Sequence, residues 1–347
     1  MITRVSSPVL ARNKDLSTEK ESPEEGVIRW LNERIGKVIQ AAVKQLGQTE
    51  KIEEIRLRVN QPLIIRTERK EYFITASGLL GSKETAYSVT KADLIEILDR
   101  MTHSSIYAAE EELRQGFFTL SGGHRVGISG ETVVENGMIR TIKNISALNF
   151  RLARQPGSKA VHLLPLLLDR NKNLCHTLLV SPPRGGKTTV LRLLVKSLSD
   201  GVPELGLEGQ SVGVVDERSE IAGMWQGTPA FDLGCRTDVL DRCPKVQGLN
   251  MLIRSMSPSI VAVDELGGPD EVFALNDAVR CGVKILATAH AGSLEELRRR
   301  PFLQDLFEKQ VFERAVILSR DRGPGTIEGV YDLVTGNTLS SGLNRRV

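Results

Sequence analysis

The chain has 347 residues, of which 40% are apolar and 26% charged, and this composition fits a globular protein of about two domains. The formal net charge is only +3 and aromatic residues make up 4%, which disfavours nucleic acid as the main ligand. No run approaches the roughly 18 uninterrupted apolar residues of a membrane-spanning helix, and the N-terminus lacks the apolar core of a signal peptide. We therefore expect a cytosolic protein that reaches a membrane only through partners.

The N-terminal part predicts a smaller α+β domain behind a polar leader. The leader is assigned to residues 1–25 and is expected to be disordered. Apolar spacing predicts helices at 26–46, 90–101 and 106–115, the second opened by a capping box of Thr90 and Asp93. Alternating residues predict strands at 54–59, 63–67, 72–75, 117–120, 125–129, 131–134 and 138–142. The domain is assigned to residues 26–154, ending before a Pro-Gly turn at 155–158.

The second domain, assigned to residues 155–335, alternates apolar strands with helices. This pattern predicts an α/β fold with a parallel sheet covered on both faces. The predicted strands are 174–180, 212–216, 260–264 and 283–288, with 315–319 and 327–333 as further candidates to close the sheet. A polar tail at 336–347 has no assigned role.

A glycine-rich turn, Ser181 to Thr189, between the 174–180 strand and a helix predicted at 190–198 has the pattern of a P-loop. Consecutive backbone N–H groups in such a turn surround a phosphate, and the positive end of the helix dipole adds to their field. The predicted ATP-binding residues are Ser181, Pro182, Pro183, Arg184, Gly185, Gly186, Lys187, Thr188 and Thr189. Lys187 is expected to reach the β- and γ-phosphates, and Thr188 to ligate Mg²⁺.

One residue departs from the usual pattern, because Ser181 stands where a P-loop begins with glycine. Serine can make this turn if its φ stays negative. We interpret the change as tolerated, since the Gly-Gly-Lys-Thr run at 185–188 is intact.

Two carboxylates, Asp264 and Glu265, end the apolar strand at 260–264, 77 residues after Lys187. At the carboxyl edge of a parallel sheet, Asp264 is expected to hold Mg²⁺ through water, and Glu265 to orient and deprotonate the attacking water. Alone, such a pair would as readily be solvated acids at a strand end. Beside a P-loop, the catalytic interpretation is favoured.

Two further strand ends carry candidate catalytic groups. Asp216 and Glu217 follow the strand at 212–216, where they could contact the metal or the attacking water, although a solvated charge run is the alternative. His290 follows the strand at 283–288 and could sense the γ-phosphate, although a lone histidine is more often structural. Six arginines are candidates for a residue acting on a neighbouring subunit's nucleotide: Arg125, Arg151, Arg154, Arg218, Arg236 and Arg254.

These motifs together resemble the stage III sporulation protein AA family of endospore-forming bacteria. The resemblance rests on the P-loop at 182–189, Val-Val-Asp-Glu-Arg-Ser-Glu-Ile-Ala-Gly at 214–223, Arg-Thr-Asp-Val-Leu-Asp-Arg-Cys-Pro-Lys at 236–245, Met-Leu-Ile-Arg-Ser-Met-Ser-Pro at 251–258, Asp-Glu at 264–265 and Thr-Ala-His at 288–290. Segments 53–58 and 123–130 match as well, so the resemblance spans about residues 27–333. A second departure is Arg184, at a position that is usually glycine.

That family is similar to the secretion ATPases of type II and type IV machines. The resemblance implies a RecA-like P-loop NTPase core, a smaller N-terminal domain and a homohexamer with nucleotide between subunits. It implies an Asp box at Asp216 and Glu217 and a His box at His290. It also implies a membrane channel between mother cell and forespore as partner, with this protein peripheral on its cytoplasmic face in the mother cell.

The resulting hypothesis is an ATPase, using ATP and Mg²⁺, that powers or assembles a secretion-like channel during endospore formation. A nucleotide-gated assembly platform with little hydrolysis is the alternative, with Ser181 marking a weakened site. A nucleic-acid motor is a third option, which the low net charge and sparse aromatic residues disfavour.

Overall fold

The computed structural model describes residues 22–47, 50–102, 110–154, 160–299, 304, 306–307 and 310–346. These residues form two β-sheets with flanking helices, one sheet on each side of residues 155–159. The predicted boundary turn lies within that gap, so the domain limits stay a prediction. No helix among the described residues is both long and apolar enough to cross a bilayer.

Two helices replace the single one predicted at 26–46. Helix α1 spans Pro23–Ile28 and α2 spans Glu33–Leu46. Ser22 caps α1, so the last residues of the predicted disordered leader are ordered, whereas residues 1–21 lie outside the described residues. Asn32 starts α2 by accepting a hydrogen bond from the Ile35 amide at 2.9 Å. The break arises because an extended asparagine cap interrupts the apolar spacing.

The N-terminal sheet has the strand order β4-β3-β2-β1-β7-β6-β5, with antiparallel pairing throughout. Its elements are β1 (Ile52–Arg58), β2 (Ile64–Thr67), β3 (Glu71–Ile74), β4 (Leu80–Gly81), α3 (Lys91–Met101), α4 (Glu110–Gln115), β5 (Phe117–Thr119), β6 (Arg125–Glu135) and β7 (Met138–Arg151). The capping box at Thr90 is confirmed. Residues 106–109 of the predicted third helix lie outside the described residues. Strand β7 is much longer than predicted because it pairs with both β1 and β6.

The second sheet is parallel over most of its width. Its elements are α5 (Leu164–Leu167), β8 (Thr177–Ser181), α6 (Lys187–Asp200), β9 (Val212–Asp216), β10 (Thr237–Asp241), α7 (Lys245–Met256), β11 (Ile260–Val263), α8 (Pro269–Arg280), β12 (Lys284–His290), α9 (Leu294–Arg298), β13 (Arg314–Ser319), β14 (Thr326–Asp332) and β15 (Thr338–Arg346). The strand order is β10-β9-β11-β12-β8-β13-β14-β15; the β13–β14 and β14–β15 pairs are antiparallel, and the other neighbouring pairs are parallel. Strand β12 therefore lies between β8 and β11.

Each of the six strands predicted here is confirmed, with ends shifted by up to three residues. Strand β10 was not predicted. The assignment of 336–347 as a polar tail outside the domain is corrected by the structure. Most of this segment forms β15, which pairs with β14 at the sheet edge.

Apolar side chains pack on both faces of this sheet, which explains the unbroken apolar runs of its strands. Along β8, Leu179 packs with α6 residues such as Leu191 on one face. Its neighbours Leu178 and Val180 pack with α8 residues such as Leu275 on the other. With both faces covered, polar groups that need solvent or a ligand collect at the strand ends.

Candidate nucleotide-binding site

The turn from β8 to α6 has the shape that a phosphate-binding loop requires. Gly186 caps α6 with φ 89°, the left-handed region that favours glycine. A side chain there would overlap the backbone of Gly325, whose amide donates to the Gly185 carbonyl at 2.9 Å. The turn is thus held against the β13–β14 connection, with the amino end of α6 behind it. Pro182 and Pro183 lie within the turn, and Thr189 lies in the first turn of α6.

Both departures from the usual pattern have a visible structural effect. Ser181 is the last residue of β8, so its backbone is extended, and its hydroxyl donates to the Pro182 carbonyl at 2.8 Å. Arg184 adopts φ 62°, which costs a non-glycine residue about 1–2 kcal/mol. Its guanidinium lies 3.8 Å from Glu54 of β1, so the loop contacts the N-terminal sheet.

Lys187, the first residue of α6, contacts His290, the last residue of β12. Strand register places His290 opposite Ser181, and the Lys187 Nζ lies 2.9 Å from His290 Nδ1. Lys187 is only 6% exposed, and burial lowers the pKa of its ammonium, while Asp264 and Glu265 oppose that change. Because burial disfavours the charged form of this ammonium, an anionic partner such as a phosphate would stabilise it.

Two threonine hydroxyls hold the Asp264 carboxylate. Thr188 donates to Oδ2 at 2.6 Å, and Thr288 of β12 donates to Oδ1. Thr188 and Asp264 thus present a hydroxyl and a carboxylate side by side, the hard oxygen donors that Mg²⁺ prefers. Magnesium usually takes one or two carboxylates, with waters and phosphates completing its shell, so this pair fits the metal.

Glu265 lies beside this pair at the mouth of the site. Its amide donates to the Thr288 hydroxyl at 2.8 Å. Its carboxylate accepts from Arg218 at 3.0 Å and lies 3.5 Å from His290 Nε2. A cleft of about 440 Å³, lined in part by Glu265, His290 and Lys245, opens next to it. A carboxylate beside an open cleft can orient and accept a proton from a water.

Asp216 is used differently from what its position in sequence predicts. It is 1% exposed, and its carboxylate accepts from the backbone amides of Glu220, Ile221 and Ala222 at 2.8–2.9 Å. Burial raises the pKa of Asp216 to about 7, while these donors oppose the rise. Its carboxylate therefore holds the loop after β9, and the role predicted for it in catalysis stays a prediction. The Glu217 carboxylate lies 3.3 Å from Lys245 Nζ.

The structure thus brings Lys187, Thr188, Asp264, Glu265 and His290 together at one edge of the sheet. The sequence-based prediction missed Thr288 and Lys245. Thr288 lies within the Thr-Ala-His motif at 288–290, but this motif does not indicate that its threonine holds a carboxylate. Lys245 ends the quoted motif at 236–245, but the motif does not indicate its role, because its partners come from three separate segments.

The N-terminal sheet contacts the same edge through ion pairs. Arg125 of β6 pairs with Glu220 in the loop after β9, and Arg242 pairs with Glu112 of α4 at 2.7 Å. Of the candidate arginines, Arg218 lies nearest to Glu265, and Arg151 lies 3.7 Å from Glu54. Two others have structural partners, because Arg154 pairs with Glu24 and Arg236 donates to the Ser199 carbonyl at 2.9 Å.

A sequence model of the family described as "Sporulation stage III, protein AA" matches residues 21–338. The chain belongs to this family. Stage III sporulation protein AA of Bacillus subtilis (strain 168) is 42% identical over 290 residues, which cover 83% of this chain and 89% of that protein. The resemblance seen in the sequence motifs is thereby confirmed.

Solved structures support the fold. The ATPase DotB of Yersinia pseudotuberculosis has a TM-score of 0.56 and 11% identity, over 94% of this chain and 85% of that one. The pilus retraction motor PilT, solved with bound ADP, has a TM-score of 0.50 and 13% identity, over 81% and 77%. At such identities the likeness shows fold alone. It confirms the predicted RecA-like α/β core, similar to that of secretion ATPases.

Proposed function

We propose that this chain hydrolyses ATP to ADP and phosphate, and that hydrolysis powers or assembles a secretion-like channel between mother cell and forespore. The convergence of Lys187, the Thr188–Asp264 pair and Glu265 at one sheet edge carries the proposal. A cation for phosphate, oxygens for a metal and a carboxylate for water are the groups that phosphoryl transfer to water needs.

Each residue has a distinct task. The backbone amides of the P-loop and the Lys187 ammonium bind the triphosphate, exchanging the Lys187–His290 contact for phosphate oxygens. Thr188 and Asp264 would hold Mg²⁺, which, when bound, neutralises charge developing on the phosphates. Glu265 orients the attacking water and accepts its proton through the oxygen that Arg218 does not bind. His290, between Lys187 and Glu265, is placed to respond to the terminal phosphate.

The cellular setting is part of the same proposal. Family membership supports a role in sporulation, and the fold of DotB and PilT supports a motor that acts in an assembly. We propose a homohexamer with nucleotide between subunits, on the cytoplasmic face of a membrane channel in the mother cell. An arginine such as Arg125 or Arg151 of the N-terminal sheet would complete the site by adding positive charge near the phosphates.

Steady-state hydrolysis and nucleotide binding by the purified chain test the proposal. Glu265→Gln should lower kcat by about a hundredfold or more while ATP still binds, since a general base contributes about that much. Lys187→Ala should lose both binding and turnover. Normal hydrolysis by Glu265→Gln would refute the assignment.

A nucleotide-gated platform is the second candidate, favoured by the strained Arg184 and by the Arg218–Glu265 contact, which occupies one oxygen of the proposed base. Its prediction is tight nucleotide binding with negligible turnover in every oligomeric state. Mass measurement with and without ATP, paired with a hydrolysis assay of each species, separates the two candidates. Hydrolysis that requires DNA would instead favour a nucleic-acid motor.

A further inference from the structure

We propose that Lys245 is a positioning residue for ATP hydrolysis, because it fixes the backbone conformation that aims Glu265 at the attacking water. The inference rests on the proposed function. Lys245 is the first residue of α7, so its side chain comes from a different segment than the P-loop or the strand end that it stabilises.

The Lys245 ammonium is buried, with 9% of the residue exposed, and three acceptors surround it. It donates to the Glu265 carbonyl at 2.6 Å and to Glu271 Oε1 of α8 at 3.0 Å, and it lies 3.3 Å from Glu217 Oε2. Two of its three N–H donors therefore form hydrogen bonds, and the contact with Glu217 is an ion pair. Two carboxylates offset its charge, which makes its burial tolerable and leaves the bond to the carbonyl as its specific contribution.

The carbonyl belongs to a residue that would otherwise adopt another conformation. Glu265 has φ 56°, a left-handed conformation that costs a residue with a Cβ about 1–3 kcal/mol. Such a conformation persists only where its surroundings over-determine it. Thr288 provides two restraints, because its hydroxyl accepts from the Glu265 amide and its carbonyl accepts from the Leu266 amide, both at 2.8 Å.

Lys245 provides the remaining restraint on the same turn. Glu271, which accepts from Lys245, also accepts from the Gly267 amide at 2.9 Å through its other oxygen. The Lys245–Glu271 pair therefore holds the turn after Asp264 from its outer side, while Thr288 holds it from the inner side. Without the ammonium, the peptide between Glu265 and Leu266 keeps only the bond from the Leu266 amide to Thr288, so the left-handed conformation of Glu265 loses a restraint and its carboxylate can move.

The test compares Lys245→Met with Lys196→Met, assayed as full-length proteins. Lys196 is a matched control, because it also pairs with two carboxylates, Asp200 and Asp232, but at the far end of α6. Lys245→Met should lower kcat about tenfold to a hundredfold while KM and the ATP dissociation constant change less than threefold, since misplacement by about 1 Å has such effects. Lys196→Met should keep its kcat.

Two further variants make the expected result specific. Lys245→Arg keeps a donor for the carbonyl and should recover part of the lost kcat. In the Glu265→Gln background, Lys245→Met should have no further effect, because both changes remove the same function. A wild-type kcat in folded Lys245→Met, or equal losses of binding and kcat, would overturn the inference.

A crystal structure of Lys245→Met separates this inference from the proposed function. We expect Glu265 to move to negative φ and its carboxylate to leave the site. If the wild-type chain shows no hydrolysis in any oligomeric state, the proposed function has failed, and this structure alone decides whether Lys245 fixes Glu265. An unchanged φ at Glu265 overturns the inference whatever the turnover.

Discussion

Strands β9 and β11 are neighbours in the same parallel sheet, and each ends in an Asp-Glu pair at the same level. Despite this match, the structure uses the two aspartates differently. Among the residues that the structure describes, Asp264 accepts from two side-chain hydroxyls, one of them on the P-loop helix. Within the same described residues, Asp216 accepts from three backbone amides of its own loop.

The difference lies in the path that the chain takes after each strand. After β9, Ser219 adopts φ 54° and turns the chain so that the next three amides face Asp216. After β11, Glu265 itself is left-handed, and the chain leads away towards α8, which leaves Asp264 open to Thr188. An acid at a strand end is therefore available to a ligand only if the backbone after it does not take up its oxygens.

The largest effect is expected from removing the charge at each strand end in turn. Asp264→Asn should lower Mg²⁺-dependent turnover about a hundredfold with little loss of stability, because a metal ligand is lost. Asp216→Asn should instead lower the free energy of unfolding by about 2–3 kcal/mol, since its NH₂ group would face backbone donors. Turnover at saturating Mg²⁺ and urea unfolding of both variants check this, and the reverse pattern would contradict the comparison.

A smaller effect is expected from Thr288→Val, which keeps the shape of the side chain but loses the hydroxyl shared by Asp264 and Glu265. We expect kcat to fall about tenfold, and stability by about 1 kcal/mol. Thr177→Val of β8 is the matched control, because Thr177 is equally buried and donates only to the Cys175 carbonyl. Thr177→Val should lose as much stability as Thr288→Val but keep its kcat. Equal kcat values in the two variants would show that Thr288 does not contribute to the site.

A loss of folding stability in acid should come from a residue that lies at neither of these two strand ends. The raised pKa of Asp216 stabilises the folded state as pH falls below about 7, so it cannot explain a loss of stability in acid. His124 has the opposite effect, because burial lowers its pKa to about 4, and its stabilising contribution is lost as pH falls through about 6.5 towards 4. Its Nδ1 accepts from the Ala153 amide at 3.1 Å, which requires the neutral ring.

Urea unfolding at pH 8 and pH 5.5 measures this contribution. We expect wild type to lose about 1 kcal/mol more than His124→Gln between these pH values, since glutamine can still accept from Ala153 but does not titrate. Asp216 contributes equally to both proteins and cancels in the difference. Parallel pH profiles would show that His124 is not the titrating group.

The smallest effect is expected from Glu217→Gln. Glu217 is 40% exposed in its side chain, and Lys245 keeps two other acceptors when it is replaced. We expect kcat to change less than about threefold, which corresponds to roughly 0.6 kcal/mol. A loss comparable to that of Glu265→Gln, measured in the same assay, would mean that the two acids act together.

Much of the fold could be predicted because its physical causes are local. The unbroken apolar runs of β8, β9, β11 and β12 follow from burial on both faces. Strand β10 was missed because it is an edge strand whose Thr-Asp-Val-Leu-Asp sequence is only half-buried. Strand β15 was missed because its polar residues give no apolar alternation, and only pairing with β14 makes it a strand.

The convergence of Lys187, Asp264 and Glu265 at one sheet edge could be predicted, because each follows a recognisable strand or turn, whereas their roles in catalysis stay predictions. The backbone N–H groups that donate to Asp216 could not be predicted, because they depend on the path of a loop. Lys245 could not be predicted for a related reason, since its partners lie on α8 and after β9 and β11. Contacts between segments distant in sequence require the folded chain.

The position of β12 between β8 and β11 sets the width of the site. Adjacent strands lie about 4.8 Å apart, so the strands that lead to Lys187 and Asp264 are separated by roughly 10 Å. In the proposed function, a phosphate bound between these two strands would lie near the end of β12, which carries Thr288 and His290. A change in side-chain volume or charge at either position would therefore alter the surroundings of both Lys187 and Asp264.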